Sequence, residues 1–266
     1  MKLKKIAILG GGNLGSSIAK GLLKTKLIPA DNITVTRRRV HLLDYLSKEG
    51  IHVLKNNCEA VKGADYIFLV VKPWQLSEVL TEISPFIDAK KVCLISLATG
   101  ISAKEIEDTL GLECTIFRAM PNTAIAIGES MTCISSHRAT KEKEEEVLKL
   151  FNQVGDVELI PEELMAASTV LGACGIAFAL RFIRAATQGG IEIGFGSSLA
   201  QKIVAQTLKG AAELIIKNDS HPEREIDKVT TPQGITISGL NEMEHHGFSS
   251  ALIKGLITSY NKIEKK

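Results

Sequence analysis

From its start to about residue 160 the chain alternates short apolar runs with amphipathic stretches, and this alternation constrains the fold more than any other feature. Parallel strands cannot be joined by a tight turn and need a crossover, usually a helix, so strand-length runs spaced by helix-length segments read as βαβ units. The runs predict strands at Lys5–Leu9, Asn32–Thr36, Tyr66–Val71, Val92–Leu97, Thr115–Met120, Met131–Ser135 and Val157–Ile160. Helices are predicted at Ser16–Lys24, Val40–Glu49 and Gln75–Ile83. The unbroken Ile67-Phe68-Leu69-Val70-Val71 suits a strand covered on both faces.

The texture changes after Pro161, where strand-like alternation gives way to long helical patterns at Glu163–Gln188, Ser197–Asn218 and Phe248–Ile263. A chain of 266 residues is long for one domain. The expected fold is therefore a Rossmann-type doubly wound α/β sheet over residues 1–161, followed by an all-helical domain over residues 162–266. The first long helix is apolar almost all round, interrupted chiefly by Arg181 and Arg184, and alanines such as Ala173, Ala177 and Ala185 let neighbours approach closely. A helix of this kind needs cover on most sides, which predicts a subunit interface within a homodimer.

Lysine and arginine number 32 against 30 acids, a net charge of +2, so the overall field does not recruit nucleic acid. Met1-Lys2-Leu3-Lys4-Lys5 superficially imitates a signal peptide, but the apolar run after it stops at Leu9, and export is not expected. A membrane span is not expected either, because no uncharged apolar stretch reaches about 18 residues. Cys58, Cys93, Cys114, Cys133 and Cys174 are scattered without metal-site spacing and read as reduced thiols, so a cytoplasmic location without a metal is expected.

Gly10-Gly11-Gly12-Asn13-Leu14-Gly15 fits G-x-G-x-x-G directly after the first strand and at the opening of a helix. Gly10, Gly12 and Gly15 allow close backbone approach to a pyrophosphate, and the helix start at Asn13 and Leu14 offers free N–H groups and partial positive charge. An NAD-binding chain would carry a carboxylate about 20 positions on, at the end of the second strand. Here that place reads Thr36-Arg37-Arg38-Arg39, so the guanidinium of Arg37 or Arg38 is expected to take a 2′-phosphate, favouring NADPH with NADH as a weaker cofactor. Ligands of open α/β sheets gather beyond the carboxyl ends of strands. That rule places Val70, Val71, Lys72 and Pro73, then Leu97, Ala98 and Thr99, near the cofactor, and Arg118-Ala119-Met120-Pro121-Asn122-Thr123 repeats the theme.

In the helical half, Thr230-Thr231-Pro232-Gln233-Gly234-Ile235-Thr236 stands at a helix start, where backbone N–H groups and the hydroxyls of Thr231 and Thr236 converge on an anion site suited to a carboxylate, or else on a plain helix cap. From Leu164 to Ile191 there is no Lys, His, Asp or Glu. Oxidising an alcohol requires a base, whereas a protonated C=N is already electrophilic, so the missing base points to imine reduction. Thr169 on that helix is placed to hydrogen-bond an imine nitrogen or its own helix backbone.

Taken together, Gly10-Gly11-Gly12-Asn13-Leu14, Val71-Lys72-Pro73, Met120-Pro121-Asn122-Thr123, His221-Pro222 and Asp227 to Ile237 make the chain resemble the pyrroline-5-carboxylate reductase family over nearly its whole length. The resemblance implies NADPH-dependent reduction of a cyclic imino acid to L-proline, the last step of proline biosynthesis. It adds Asn57 to the cofactor site, assigns the substrate carboxylate to Gly234, Ile235 and Thr236, and implies dimers that assemble further into rings. Departures are also present: Gly172-Ala173-Cys174-Gly175-Ile176-Ala177-Phe178 replaces the usual Ser-Gly-Ser-Gly-Pro-Ala-Tyr, Gln233 replaces glycine, Ala124 replaces proline and Thr99 replaces alanine. Two alternatives follow from these departures, a reductase of a different cyclic imino acid and a decayed NADP-binding regulatory dimer.

Overall fold

A computed structural model describes residues 4–264 of the chain. In chain order its first half runs β1 (Ile6–Leu9), α1 (Asn13–Thr25), β2 (Ile33–Thr36), α2 (Asp44–Ser47), β3 (His52–Leu54), α3 (Asn57–Ala60), β4 (Tyr66–Leu69) and α4 (Pro73–Ile83). It continues through β5 (Cys93–Ser96), α5 (Ala103–Leu110), β6 (Thr115–Met120), β7 (Ser130–His137), α6 (Lys141–Phe151) and β8 (Gly155–Leu159). The strands form one eight-stranded sheet in the order β3-β2-β1-β4-β5-β6-β7-β8, parallel except where β7 runs against β6.

Because successive side chains point to opposite faces, the central strands β1, β4, β5 and β6 each feed two cores. Ile6 and Ile8 pack with Ile18 and Leu22 of α1 and with Val147 and Phe151 of α6. Ala7 and Leu9 pack on the other face with Leu76, Leu80 and Ile83 of α4 and Ile106 of α5. The start of α5 is fixed by a capping box, in which Ser102 accepts from the Glu105 N–H and the Glu105 carboxylate reaches back to the Ser102 N–H. Cys93 and Cys114 sit in these cores, where burial pushes their thiols up to about 12 and about 11, so both behave as small hydrophobes.

Beyond Pro161 the chain is helical: a 3-10 turn at Glu162–Leu164, α7 (Met165–Ser168), a π-helical turn at Thr169–Cys174, α8 (Gly175–Glu192), α9 (Ser197–Asn218), α10 (Pro222–Lys228), α11 (Ile235–His245) and α12 (Phe248–Glu264). The run Glu162–Glu192 has the length and mean hydropathy (31 residues, 1.7) of a membrane-crossing helix, although little of it is buried within the chain. By compactness the chain divides into two units at Cys174 and Gly175, with Gly175–Ser259 forming the second, whereas the sequence texture changes at Pro161. Within the second unit α8 buries no residue, and Leu180 and Phe182 are exposed. A groove of about 860 Å³ lined by Gly190, Ile193, Phe195, Ile203 and Met243 adds to this open apolar surface.

Candidate active site

In a sheet of this order the chain reverses its direction of growth between β1 and β4, and a crevice opens there beyond the strand ends. The glycine loop lies at that point. Gly10 adopts φ +111°, a conformation L side chains rarely take, and a Cβ there would collide with the Val70 carbonyl. A Cβ on Gly15 would run into the Gly10 carbonyl, whereas one on Gly12 would meet nothing within 4 Å, so Gly12 faces open space. Hydrogen bonds from Gly11 N–H to the Thr36 carbonyl at 2.7 Å and from Gly12 N–H to the Gly10 carbonyl at 2.8 Å hold the loop. No side chain caps α1 at Gly12, so the N–H groups of its first turn, from Asn13 through Gly15, remain available for an anion.

A second network supports this loop. The Thr36 hydroxyl accepts from Gly10 N–H at 3.3 Å and donates to Asn57 Oδ1 at 2.7 Å, while Asn57 Nδ2 donates to the Glu82 carboxylate at 2.9 Å. Arg37 is half-buried and donates from Nη1 to the Gly11 carbonyl at 2.9 Å, which lays its guanidinium along the loop. Arg38 and Arg39 are exposed. The structure therefore separates Arg37 from its neighbours, a distinction that the run of arginines could not make. The cradle shaped by glycine, the uncapped helix start and the anchored arginine fit a dinucleotide carrying a 2′-phosphate.

The other strand ends reach the same side of the sheet. Val70 and Val71 are half-buried after β4, and exposed Lys72 precedes Pro73 at the start of α4. Leu97 and Ala98 are buried after β5 and Thr99 is half-buried. Buried Arg118 on β6 donates to Glu162 Oε1 at 3.0 Å, and the same oxygen accepts from Ala103 N–H at 2.8 Å, tying the first turn after Pro161 to the sheet. Sequence reasoning grouped Arg118 with a strand end but missed Glu162 as its partner.

Thr169 opens the π-helical turn and is buried, with its hydroxyl donating to the Met165 carbonyl at 2.8 Å. Of the two roles open to it, the structure displays the backbone bond. In the second unit, Gly234 N–H donates to the Thr231 carbonyl at 2.9 Å, and Gly234 precedes α11 with no side-chain cap. The hydroxyls of Thr231 and Thr236 are therefore not caps, and the N–H groups at Ile235 and Thr236 stand free at an exposed helix start. Gly234 is required by closeness rather than by φ, since its added Cβ would lie 2.7 Å from the Thr231 hydroxyl. Gln233 takes the left-handed conformation at φ 59°.

A glycine loop at the reversal of a doubly wound sheet, with arginine in place of a carboxylate beyond β2, defines a dinucleotide-dependent oxidoreductase of the NADP type. Comparison with known proteins agrees at that level and goes further. Residues 5–100 match the family described as NADP oxidoreductase, coenzyme F420-dependent, and residues 162–266 match the one described as pyrroline-5-carboxylate reductase dimerisation. The chain is 43% identical to pyrroline-5-carboxylate reductase 2 of Dictyostelium discoideum, over 98% of this chain and 93% of that protein. It is 46% identical to reductase 1 of the same organism over 97% of this chain, but spans about half (49%) of that relative's length. A crystal structure of Plasmodium falciparum pyrroline carboxylate reductase with NADP bound superposes with a TM-score of 0.90 at 26% identity, covering 100% of this chain and 98% of the other. The chain belongs to the pyrroline-5-carboxylate reductase family.

Proposed function

We propose that this chain reduces 1-pyrroline-5-carboxylate to L-proline with NADPH, the last step of proline biosynthesis. The observation that carries the reading is family membership along nearly the whole chain together with an uncapped α11 start at Gly234-Ile235-Thr236, where a carboxylate has N–H donors to meet. When bound, the nicotinamide supplies the hydride that adds to C5 of the imine. The α1 start holds the pyrophosphate, and Arg37 takes the 2′-phosphate in preference to exposed Arg38. Val70 to Pro73 and Leu97 to Thr99 line the cofactor, and Asn57 acts on it from behind the loop, since both ends of its amide are engaged by Thr36 and Glu82.

Thr236 adds a hydroxyl to the free backbone N–H groups of Ile235 and Thr236, while Gly234, its own N–H held by the Thr231 carbonyl, shapes the turn ahead of them. With its own proton on Met165, Thr169 contributes an acceptor for the N–H of a protonated imine. The absence of Lys, His, Asp and Glu from Leu164 to Ile191 fits a substrate that brings its own proton.

The remaining features of the reading concern assembly and location. Exposed apolar residues on α8 and the family match over residues 162–266 support a homodimer, which extends to a ring of dimers. Pairing of that surface, with Arg181 and Arg184 inside the apolar run, accounts for its hydropathy without a membrane. The near-neutral charge supports a protein without a nucleic-acid partner, and five free cysteines support a cytoplasmic location. Domains at 1–161 and 162–266 complete the assignment. Steady-state turnover of 1-pyrroline-5-carboxylate with NADPH, with proline identified as product, is the test. NADPH binding without turnover of this or a homologous cyclic imino acid would refute the reductase reading in favour of a regulatory dimer.

A further inference from the structure

The π-helical turn at Thr169–Cys174 interrupts an otherwise regular helical run. A residue inserted into an α-helix breaks the i→i−4 ladder locally, and such turns persist where something outside the helix supports the groups they displace. Here the support is visible. Asn122, just beyond β6, donates from Nδ2 to the Gly172 carbonyl inside the turn at 3.3 Å. Its other amide atom, Oδ1, accepts from Ala124 N–H at 3.0 Å, and its own N–H donates to the buried Ser130 hydroxyl at 3.0 Å. Because one neighbour is an N–H and the other a carbonyl, only one orientation of the Asn122 amide satisfies both. A proline at position 124 would remove the donor that sets this orientation.

We propose that Asn122, oriented by the Ala124 N–H, is a positioning residue for imine reduction, because it holds the π-helical turn and with it the backbone on which Thr169 sits. The placement is functional rather than merely structural, since Asn122 lies at the carboxyl end of β6, on the side of the sheet where the cofactor loops converge. This inference rests on the reductase reading above. It also joins two positions that the sequence marks as unusual, Ala124 and Gly172, through one side chain.

Two variants test it. Asn122→Asp keeps the acceptor for Ala124 and replaces the donor to Gly172 with a repelling oxygen, while Asn122→Ala removes both side-chain bonds without adding a charge. Loss of one neutral hydrogen bond predicts about a 3- to 10-fold fall in kcat for either variant. NADPH affinity should be unchanged, and deuterium uptake should rise in the backbone amides of 169–174 but not in those of α1. Unchanged exchange in that segment for both variants would overturn the proposal, as would weakened NADPH binding with normal kcat, which would make Asn122 a cofactor contact. If the wild-type protein turns over no imino acid, the reductase reading fails by itself, and the exchange measurement still decides whether Asn122 holds the turn.

Discussion

Replacing Arg37 with alanine should separate the two nicotinamide cofactors. The guanidinium is half-buried and fixed at Nη1 by the Gly11 carbonyl at 2.9 Å, so its remaining donors are pre-oriented beside the glycine loop proposed to receive the pyrophosphate. A charge-assisted hydrogen bond to a phosphate contributes about 1.5–3 kcal/mol, which corresponds to roughly 10- to 100-fold in Kd for NADPH. NADH lacks the 2′-phosphate and should lose little, about threefold or less, reflecting only the bond between Arg37 and the loop. Arg38 is exposed, and a screened surface charge contributes about 1 kcal/mol or less, so Arg38→Ala should cost NADPH no more than about fivefold. The assay is calorimetric titration of both variants with both cofactors at one ionic strength. Equal losses for NADPH and NADH in Arg37→Ala, or a larger loss in Arg38→Ala, would refute the reasoning.

Three further predictions follow from individual contacts. Thr236→Ala should lower kcat/KM about 10- to 100-fold with NADPH affinity and melting temperature nearly unchanged, because the hydroxyl caps nothing and its loss falls on the substrate carboxylate; unchanged kinetics would remove Thr236 from the site. Gln233→Gly should raise Tm by roughly 2 °C, since relief of a left-handed backbone outweighs the added freedom of the unfolded chain; a lower Tm in a melting scan would contradict the strain at φ 59°. The Lys143 hydrogen bond, reinforced by Tyr66 and Lys4 against the cost of burial, brings Glu146 down from 4.5 to about 2. A depressed folded-state value stabilises above pH 4.5 and is lost as pH falls toward about 2, so wild type should melt above Glu146→Gln at pH 6 and the gap should close below pH 3; a gap independent of pH would be contrary to this linkage.

Much of this architecture was legible in the residues, and the parts that were not have physical causes. The strands β1, β4, β5 and β6 announce themselves because they are buried on both faces and so carry near-continuous apolar runs, whereas β2 reads through the alternation Ile33-Thr34-Val35-Thr36. In contrast β3 is three residues long with His52 exposed, and it escaped notice. The helices α5 and α6 were also missed. Only Val147 and Phe151 of α6 are buried, too few to set a period among its lysines and glutamates, while α5 declares itself mainly through the Ser102–Glu105 capping box. The long apolar run after Glu163 read as one continuous helix. An inserted π residue leaves composition and periodicity almost unchanged, so the turn at Thr169–Cys174 becomes visible only with the backbone. The choice among Arg37, Arg38 and Arg39 likewise depended on which side chain turns back to the Gly11 carbonyl beyond β2.

The central claim is that hydride passes from NADPH to C5 of a cyclic imino acid, and deuteride transfer tests it most directly. The protein would be incubated with 1-pyrroline-5-carboxylate and NADPH carrying deuterium on the transferable face of nicotinamide C4, with the products resolved by mass spectrometry and NMR. The account predicts L-proline heavier by one mass unit with the label at C5, formed in step with NADPH oxidation. Proline without label, or NADPH oxidation without proline, would contradict it.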